Sequence, residues 1–315
     1  MGKENVIKAF KAFDKDFKCR DFQYEVGKEC EESDIKVCSK GFHACENPFD
    51  VLDHYPLIDN DGNASRFAEV EQSGDIERDS NKVCSSRIKV KAELSLGQFV
   101  KACVEWIREA TSPAKCEAID KSDSAQIGSS GDYAQIGSSG DYAQIGSSGD
   151  YAQIGSSGYY AQIGSSGYSA QIGSSGYSAK IGSSGDYAKI GSSGDYAQIG
   201  SSGYSAKIGS SGDYAKIGSS GYYAQIGSSG DYAKIGSSGD YAKINSEGSH
   251  SVVCCAGHGS KAKAKVGSWI TLSEWKYLDS EGCHIPIYVK TERVDGEIIK
   301  ADTWYMLKDG EFVEV

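Results

Sequence analysis

From Ala125 to His250 the chain repeats a nine-residue unit fourteen times. The first unit is Ala125-Gln126-Ile127-Gly128-Ser129-Ser130-Gly131-Asp132-Tyr133, and the last ends in Asn245-Ser246-Glu247-Gly248-Ser249-His250. Positions 1 and 3 are Ala and Ile throughout. In an extended chain they share one face, while position 2 (Gln or Lys) and position 9 (mostly Tyr) point the other way. Gly-Ser-Ser-Gly is expected to break the strand and to supply positive φ angles. One unit cannot fold alone: burying one Ile contributes roughly 1.5–3 kcal/mol, whereas ordering nine residues costs about 13 kcal/mol. The units must therefore stack, and a period of this kind reads as a solenoid. No proline lies between Pro113 and Pro286, so no ladder donor is missing from the array. The central segment is expected to be a parallel β-solenoid.

The coil length stays open between two units (18 residues) and three (27). A four-residue turn can reverse the chain, which favours two. The Gln/Lys choice at position 2 repeats better at a shift of three units, which would stack Gln144, Gln171, Gln198 and Gln225 in one ladder. Duplication in 27-residue steps would leave the same pattern.

Composition changes abruptly on either side of the array. The expected organisation is an α+β domain at 1–120, the solenoid with a capping segment at 121–264, and a small β-rich domain at 265–315. In the first, Val6–Phe13 and Phe22–Gly27 read as strands, as do Arg66–Val70 and Ile88–Leu94. Asn47 and Pro48 announce a helix over Phe49–Tyr55. Ser95 can cap a second helix, Leu96–Ala110, whose apolar face is Leu96, Phe99, Val100, Cys103, Val104 and Ile107. In the last segment Trp269–Leu272, His284–Val289 and Ile298–Leu307 are expected strands. Asp295-Gly296 and Asp309-Gly310 are expected turns, and the tail Phe312–Val315 should pair with Trp304–Leu307 and cover the solenoid end.

The net charge is −11, and no segment is basic, which argues against nucleic acid and against an anionic membrane surface as partners. No apolar run has the roughly 20 residues of a membrane span. The first residues do not read as a signal peptide, so a cytosolic protein is expected. Ten cysteines contain no C-x-x-C pair, so neither a metal nor a disulfide framework is expected, but reduced, mostly buried thiols.

Calcium-binding nonapeptides use G-G-x-G-x-D; here Gly-Ser-Ser-Gly is followed by Asp in only eight units, so calcium is not expected. The eight aspartates raise the alternative of an acidic nucleic-acid mimic, which the net −3 of the array disfavours. Fifteen of the twenty tyrosines lie in the array. Cross-strand stacking accounts for them most simply. An aromatic surface for a protein or glycan partner, or for a second copy of the chain, is the functional reading, carried by Tyr133, Tyr142, Tyr151, Tyr160, Tyr187, Tyr196, Tyr214, Tyr223, Tyr232 and Tyr241.

The most catalytic-looking stretch is Lys40-Gly41-Phe42-His43-Ala44-Cys45-Glu46-Asn47-Pro48, followed by a helix and Tyr55. It resembles the Gly-aromatic strand and Tyr-bearing helix of ADP-ribosyltransferase-like folds. That resemblance implies His43 as a ribose-orienting group, an aromatic clamp on nicotinamide, Tyr55 as the helix tyrosine, Glu69 or Glu71 as the late catalytic glutamate, and NAD as the substrate. A structural histidine is the simpler reading of His43. A Cys45 nucleophile with His43 or His54 lacks a third, orienting group. No cofactor is expected on the leading reading.

The whole chain resembles a family carried by bacteriophages and prophages. The resemblance rests on Val6–Phe10 with Phe22–Gly27, Lys40–Pro48, Arg66–Val70, Ala92–Leu96, the nonapeptides, Gly267-Ser268-Trp269-Ile270, Lys300–Tyr305 and Gly310–Val315. It implies a setting in a bacterial host and no mechanism. The leading expectation is a non-enzymatic binding or scaffold protein, with inhibition of a host defence component as its implied role, that presents a rigid solenoid surface to a protein partner. An NAD-using transferase in the first domain is the alternative.

Overall fold

The computed structural model describes residues 6–36, 39–59, 64–112 and 118–315. The chain divides into two units, Met1–Trp106 and Ile107–Val315.

The first unit is α+β. Strand β1 (Ile7–Phe13) is followed by a two-residue hairpin, β2 (Lys18–Cys19) with β3 (Phe22–Gln23), and by the short strands β4 (Glu29–Glu31) and β5 (Phe42–Ala44). Helix α1 (Pro48–His54) starts as its sequence demands: the Asn47 side chain accepts from the Phe49 N–H, and Pro48 occupies the first position. Two long strands, β6 (Arg66–Asp79) and β7 (Lys82–Leu94), form an antiparallel hairpin. The order is β1-β6-β7-β4, with β5 also on β7. Sequence alternation covers only the apolar part of this hairpin. Its outer half, Glu71–Asp79, is largely polar, and bulges at Glu69/Val70 and between Ser73 and Ile76 break the period. The expected strand Phe22–Gly27 shrinks to two residues, because Tyr24 donates to the Phe17 carbonyl and Gly27 takes φ +85°. Phe13, Phe17, Tyr24, Phe42, Val70, Ile88 and Val90 form one core cluster.

Helix α2 (Leu96–Ala110) has the predicted bounds. Ser95 Oγ accepts from the Gln98 N–H while Gln98 Oε1 accepts from the Ser95 N–H, a reciprocal capping box. Phe99, Val100, Cys103, Val104 and Ile107 are buried, and Phe99 stacks on Phe67 at 3.9 Å.

The second unit is a two-sheet parallel β-solenoid. Strand β8 (Ala118–Asp120) precedes fourteen four-residue strands, one per repeat, from β9 (Gln126–Ser129) to β22 (Lys243–Ser246). Then come β23 (Val252–Cys255), β24 (Lys261–Lys263) and β25 (Trp269–Leu278). Each strand pairs in register with the one 18 residues on, as Gln144 with Gln162 and Gln171 with Lys189. The coil is therefore two repeats: odd repeats form one sheet and even repeats the other. Gln144 and Gln198 belong to the odd sheet, Gln171 and Gln225 to the even one, so a three-repeat glutamine ladder does not form. The stack continues beyond the recognisable repeats at both ends.

The internal chemistry of the repeat differs from expectation in one respect. The strand occupies positions 2–5, through the first glycine, and brings Ser at position 5 inside with Ile and Ala. No glycine between residues 125 and 250 has a positive φ. That conformation falls on position 9, at φ 52–59° in residues such as Tyr133, Ser169, Tyr196 and His250. The position-7 glycine is needed for space instead: a Cβ on Gly185 would lie 2.0 Å from the Gly167 carbonyl oxygen one coil below, and Gly149 and Gly221 show the same approach.

A terminal segment closes the stack. Strand β25 continues into an antiparallel hairpin with β26 (Cys283–Arg293). β27 (Tyr305–Lys308) and β28 (Glu311–Glu314) pair through the Asp309-Gly310 turn and join the even sheet at Ala262–Tyr305. Val294, Ile299, Tyr305 and Leu307 pack on the end of the Ile/Ala core. The expected strand Ile298–Leu307 is a loop until Tyr305. Asp295 Oδ1 accepts from the N–H groups of Glu297, Ile298 and Ile299, which curls the chain.

Candidate functional site

The first unit contains a cleft of about 820 Å³. It is walled by β1, β5, the β2–β3 hairpin and the end of α1. Lys11 is at its floor. In Ile7-Lys8-Ala9-Phe10-Lys11-Ala12-Phe13, strand alternation sets Lys11 on the face of Ala9 and Phe13, and the side chain is only 5% exposed. Its ammonium nitrogen donates to the His43 carbonyl at 2.7 Å and lies 5.3 Å from the Tyr24 ring centre and 5.8 Å from that of Phe13. Residue 45 bridges to Phe10 through both backbone bonds, which brings β5 alongside β1. The C-cap residue Tyr55 directs its hydroxyl to the Cys19 thiol at 2.8 Å. Arg20, in the left-handed turn between β2 and β3 (φ 55°), Phe22, Phe42, His54 and Lys82 complete the rim.

Burial dominates the electrostatics. It lowers the Lys11 pKa, with Arg20 acting in the same sense and the Cys19 thiol opposing. It also lowers His43, helped by Lys11. Tyr24 and Tyr55 are raised by burial, Tyr55 further by its bond to Cys19. The Cys45 thiol is pushed up to about 12 by burial and then by Asp50, so it is a protonated, inert core group rather than a nucleophile.

His43 and Tyr55 thus line one cleft. Glu69 and Glu71 do not. They stand opposite Phe10 and Lys8 on the face of β1 turned away from Lys11, and pair with Lys8 at 3.0 Å and Lys91 at 2.9 Å. Lys11, Cys19 and Arg20 escaped the sequence reading. The signal for Lys11 was a lysine in phase with the buried residues of an alternating strand.

The second unit offers two kinds of surface. Tyrosine ladders run along both edges, one from Tyr133 to Tyr241 and one from Tyr142 to His250. Successive ring centres are 4.9–6.3 Å apart. Tyr151, Tyr160, Tyr187, Tyr196, Tyr214, Tyr223 and Tyr232 are interior rungs. Where position 9 is Ser, the Tyr at position 8 takes the rung: Tyr168, Tyr177 and Tyr204 each contact the ring above and the ring below. All eight array aspartates accept from the backbone N–H 18 residues on, for example Asp213 from Asp231 at 2.8 Å. They are rungs of the stack.

The two sheet faces share one sequence and differ in occupancy. On the even sheet Ile107, in the last turn of α2, and Thr111, just past its end, cover the position-4 glycines Gly137, Gly155 and Gly173. A Cβ on Gly137 would lie 2.3 Å from the Thr111 carbonyl, and one on Gly173 would lie 3.1 Å from Ile107. On the odd sheet the equivalent glycines, Gly146, Gly164, Gly182, Gly200, Gly218 and Gly236, have nothing within 4 Å. They form a shallow groove bordered by the column Gln126, Gln144, Gln162, Lys180, Gln198, Lys216 and Lys234.

Eight cysteines are free thiols, with Cys254 and Cys283 exposed; Cys38 and Cys116 lie outside the described residues. Among the described residues no cluster of three His, Cys, Asp or Glu side chains could hold a metal ion, and no helix is long and apolar enough to cross a membrane.

Fold and sites define a two-unit protein: an α+β cleft domain followed by a two-sheet β-solenoid with a terminal β cap. A family model described as a domain of unknown function (DUF7666) matches residues 7–102, within the cleft domain and the start of α2. No curated protein and no solved structure matches the chain.

Proposed function

We propose that the protein is a binding protein whose solenoid docks an α-helix of a protein partner on its odd-repeat sheet. The open glycine column carries this reading. On the even sheet Gly137, Gly155 and Gly173 seat two residues four apart at the end of α2, Ile107 and Thr111, against bare backbone. The odd sheet repeats that geometry with nothing in it. Its only charged position-2 side chains are Lys180, Lys216 and Lys234. The fitting occupant is therefore a helix with β-branched side chains four apart, flanked by carboxylates. The resemblance to phage-borne chains makes a cytosolic protein of a bacterial host, such as a defence component, the expected source.

The test is lysine cross-linking of the tagged chain in bacterial lysate, with the linked peptides mapped. Helical peptides joined to Lys180, Lys216 or Lys234, and lost in Gly164→Arg/Gly200→Arg, support the reading. Links that ignore this sheet, or that survive the double substitution, refute it. A concentration-dependent dimer abolished by the same substitution would assign the face to a second copy instead.

A second reading, an NAD-using transferase, is favoured by one observation: His43 and Tyr55 share the cleft. Labelled NAD incubated with chain and lysate tests it. Absence of transferred label, or transfer unaffected by His43→Ala, counts against it.

A further inference from the structure

Lys11 is an unusual tenant of a cleft floor. Its long side chain is buried between Tyr24 and Phe13, its nitrogen has a carbonyl and a thiol as polar partners, and among the described residues no carboxylate forms an ion pair with it. A buried ammonium without a counter-ion is costly, and the neutral amine is the form such a site favours. A neutral amine is a nucleophile toward carbonyl carbon. The Cys19 thiol and the Tyr55 hydroxyl form a hydrogen-bonded pair beside it, able to hand on a proton. Phe22, Tyr24 and Phe42 meet edge to face at ring distances of 4.8–6.2 Å and supply an aromatic wall.

We propose that Lys11 captures a small aromatic aldehyde or ketone in this cleft as an imine. The nitrogen lone pair attacks the carbonyl carbon, and the carbonyl oxygen takes a proton to give a carbinolamine. The C–O bond then breaks, water leaves, and the nitrogen loses its remaining proton to give Lys–N=C. One amine and one carbonyl yield one imine and one water, with no change of oxidation state. This assignment is independent of the docking face and of the NAD reading.

The test uses the full chain with benzaldehyde and cyanoborohydride at neutral pH, followed by peptide mapping of every lysine over time. Lys11 is expected to be alkylated several-fold faster than any surface lysine, because burial lowers its pKa and raises its neutral fraction. Benzyl alcohol, of the same shape without the carbonyl, should slow Lys11 and no other site. Lys11→Arg should lose the fast phase. Alkylation spread over the surface lysines with Lys11 no faster, or a Lys11 rate indifferent to benzyl alcohol, overturns the proposal. Both readouts come from the unsubstituted chain, so they hold even where Lys11→Arg fails to fold.

Discussion

Gly182 and Gly185 lie three residues apart in one repeat, and replacing each with Ala should have opposite consequences. Gly182 faces outward from the odd sheet with nothing within 4 Å of a Cβ. Ala there removes the flexibility penalty of a strand glycine, so the change should be neutral or stabilising by about 0.5 kcal/mol. Gly185 is at the turn, where an added Cβ would sit 2.0 Å from the Gly167 oxygen, 2.8 Å from its carbonyl carbon and 3.2 Å from the Ser166 oxygen. Contact at a normal distance needs the coils to part locally by more than an ångström. The nearby rungs, Ser184 N–H to Ser165 and Tyr187 N–H to Tyr204, are 3.0 and 2.8 Å long. Overpacking costs roughly 1–3 kcal/mol, and stretching one or two such bonds adds about 1 kcal/mol each. The sum is about 2–5 kcal/mol, or roughly 4–20 °C in Tm for a unit of this size. Thermal melts followed by circular dichroism would read the difference. Hydrogen exchange should show it concentrated at the coils on either side of Gly185, because stacked repeats interact only with neighbours. Equal melting temperatures for Gly182→Ala and Gly185→Ala would refute the steric account of the repeat.

Asp213→Ala removes the acceptor for the Asp231 N–H and should cost about 1 kcal/mol, whereas Asp213→Asn, which keeps an acceptor, should cost less; chemical denaturation separates the two. Tyr214 stacks on Tyr196 at 4.9 Å and Tyr232 at 5.0 Å, so Tyr214→Ala should destabilise by about 1–2 kcal/mol from lost ring pairs, net of any backbone effect. The thiols of Cys45 and Cys255 are both pushed up to about 12 from an ordinary value of 9.0, burial being the main cause. A raised pKa stabilises the fold below the unfolded value and loses that contribution as pH rises through the folded one. Stability should therefore fall between about pH 9 and 12, and Cys45→Ala should make the decline shallower in melts run across that range. In alkylation at pH 8, Cys254 and Cys283, both exposed, should react while Cys45 and Cys255 stay protected until the chain is unfolded.

The nine-residue period was enough to determine a great deal. Strict Ile and Ala at alternate positions can be buried only by stacking, so a solenoid with inward Ile and outward Gln, Lys and Tyr was legible without coordinates. So were α1 and α2, whose caps are local: Asn47-Pro48 and Ser95 with Gln98 act within one turn. Tertiary structure decided what depends on registry between distant residues. The coil length followed from which strands exchange backbone bonds, and the 27-residue pattern at position 2 left no mark on it. Nothing in one repeat says that its turn glycine meets the carbonyl of the coil below, or that its aspartate reaches a backbone N–H 18 residues on. The same holds for the functional surfaces. The same glycine position is open along the odd sheet but covered at Gly137, Gly155 and Gly173 by Ile107 and Thr111. Lys11, Cys19, His43 and Tyr55, spread over 45 residues of sequence, became one site only when β1, β5 and α1 closed around a common cleft.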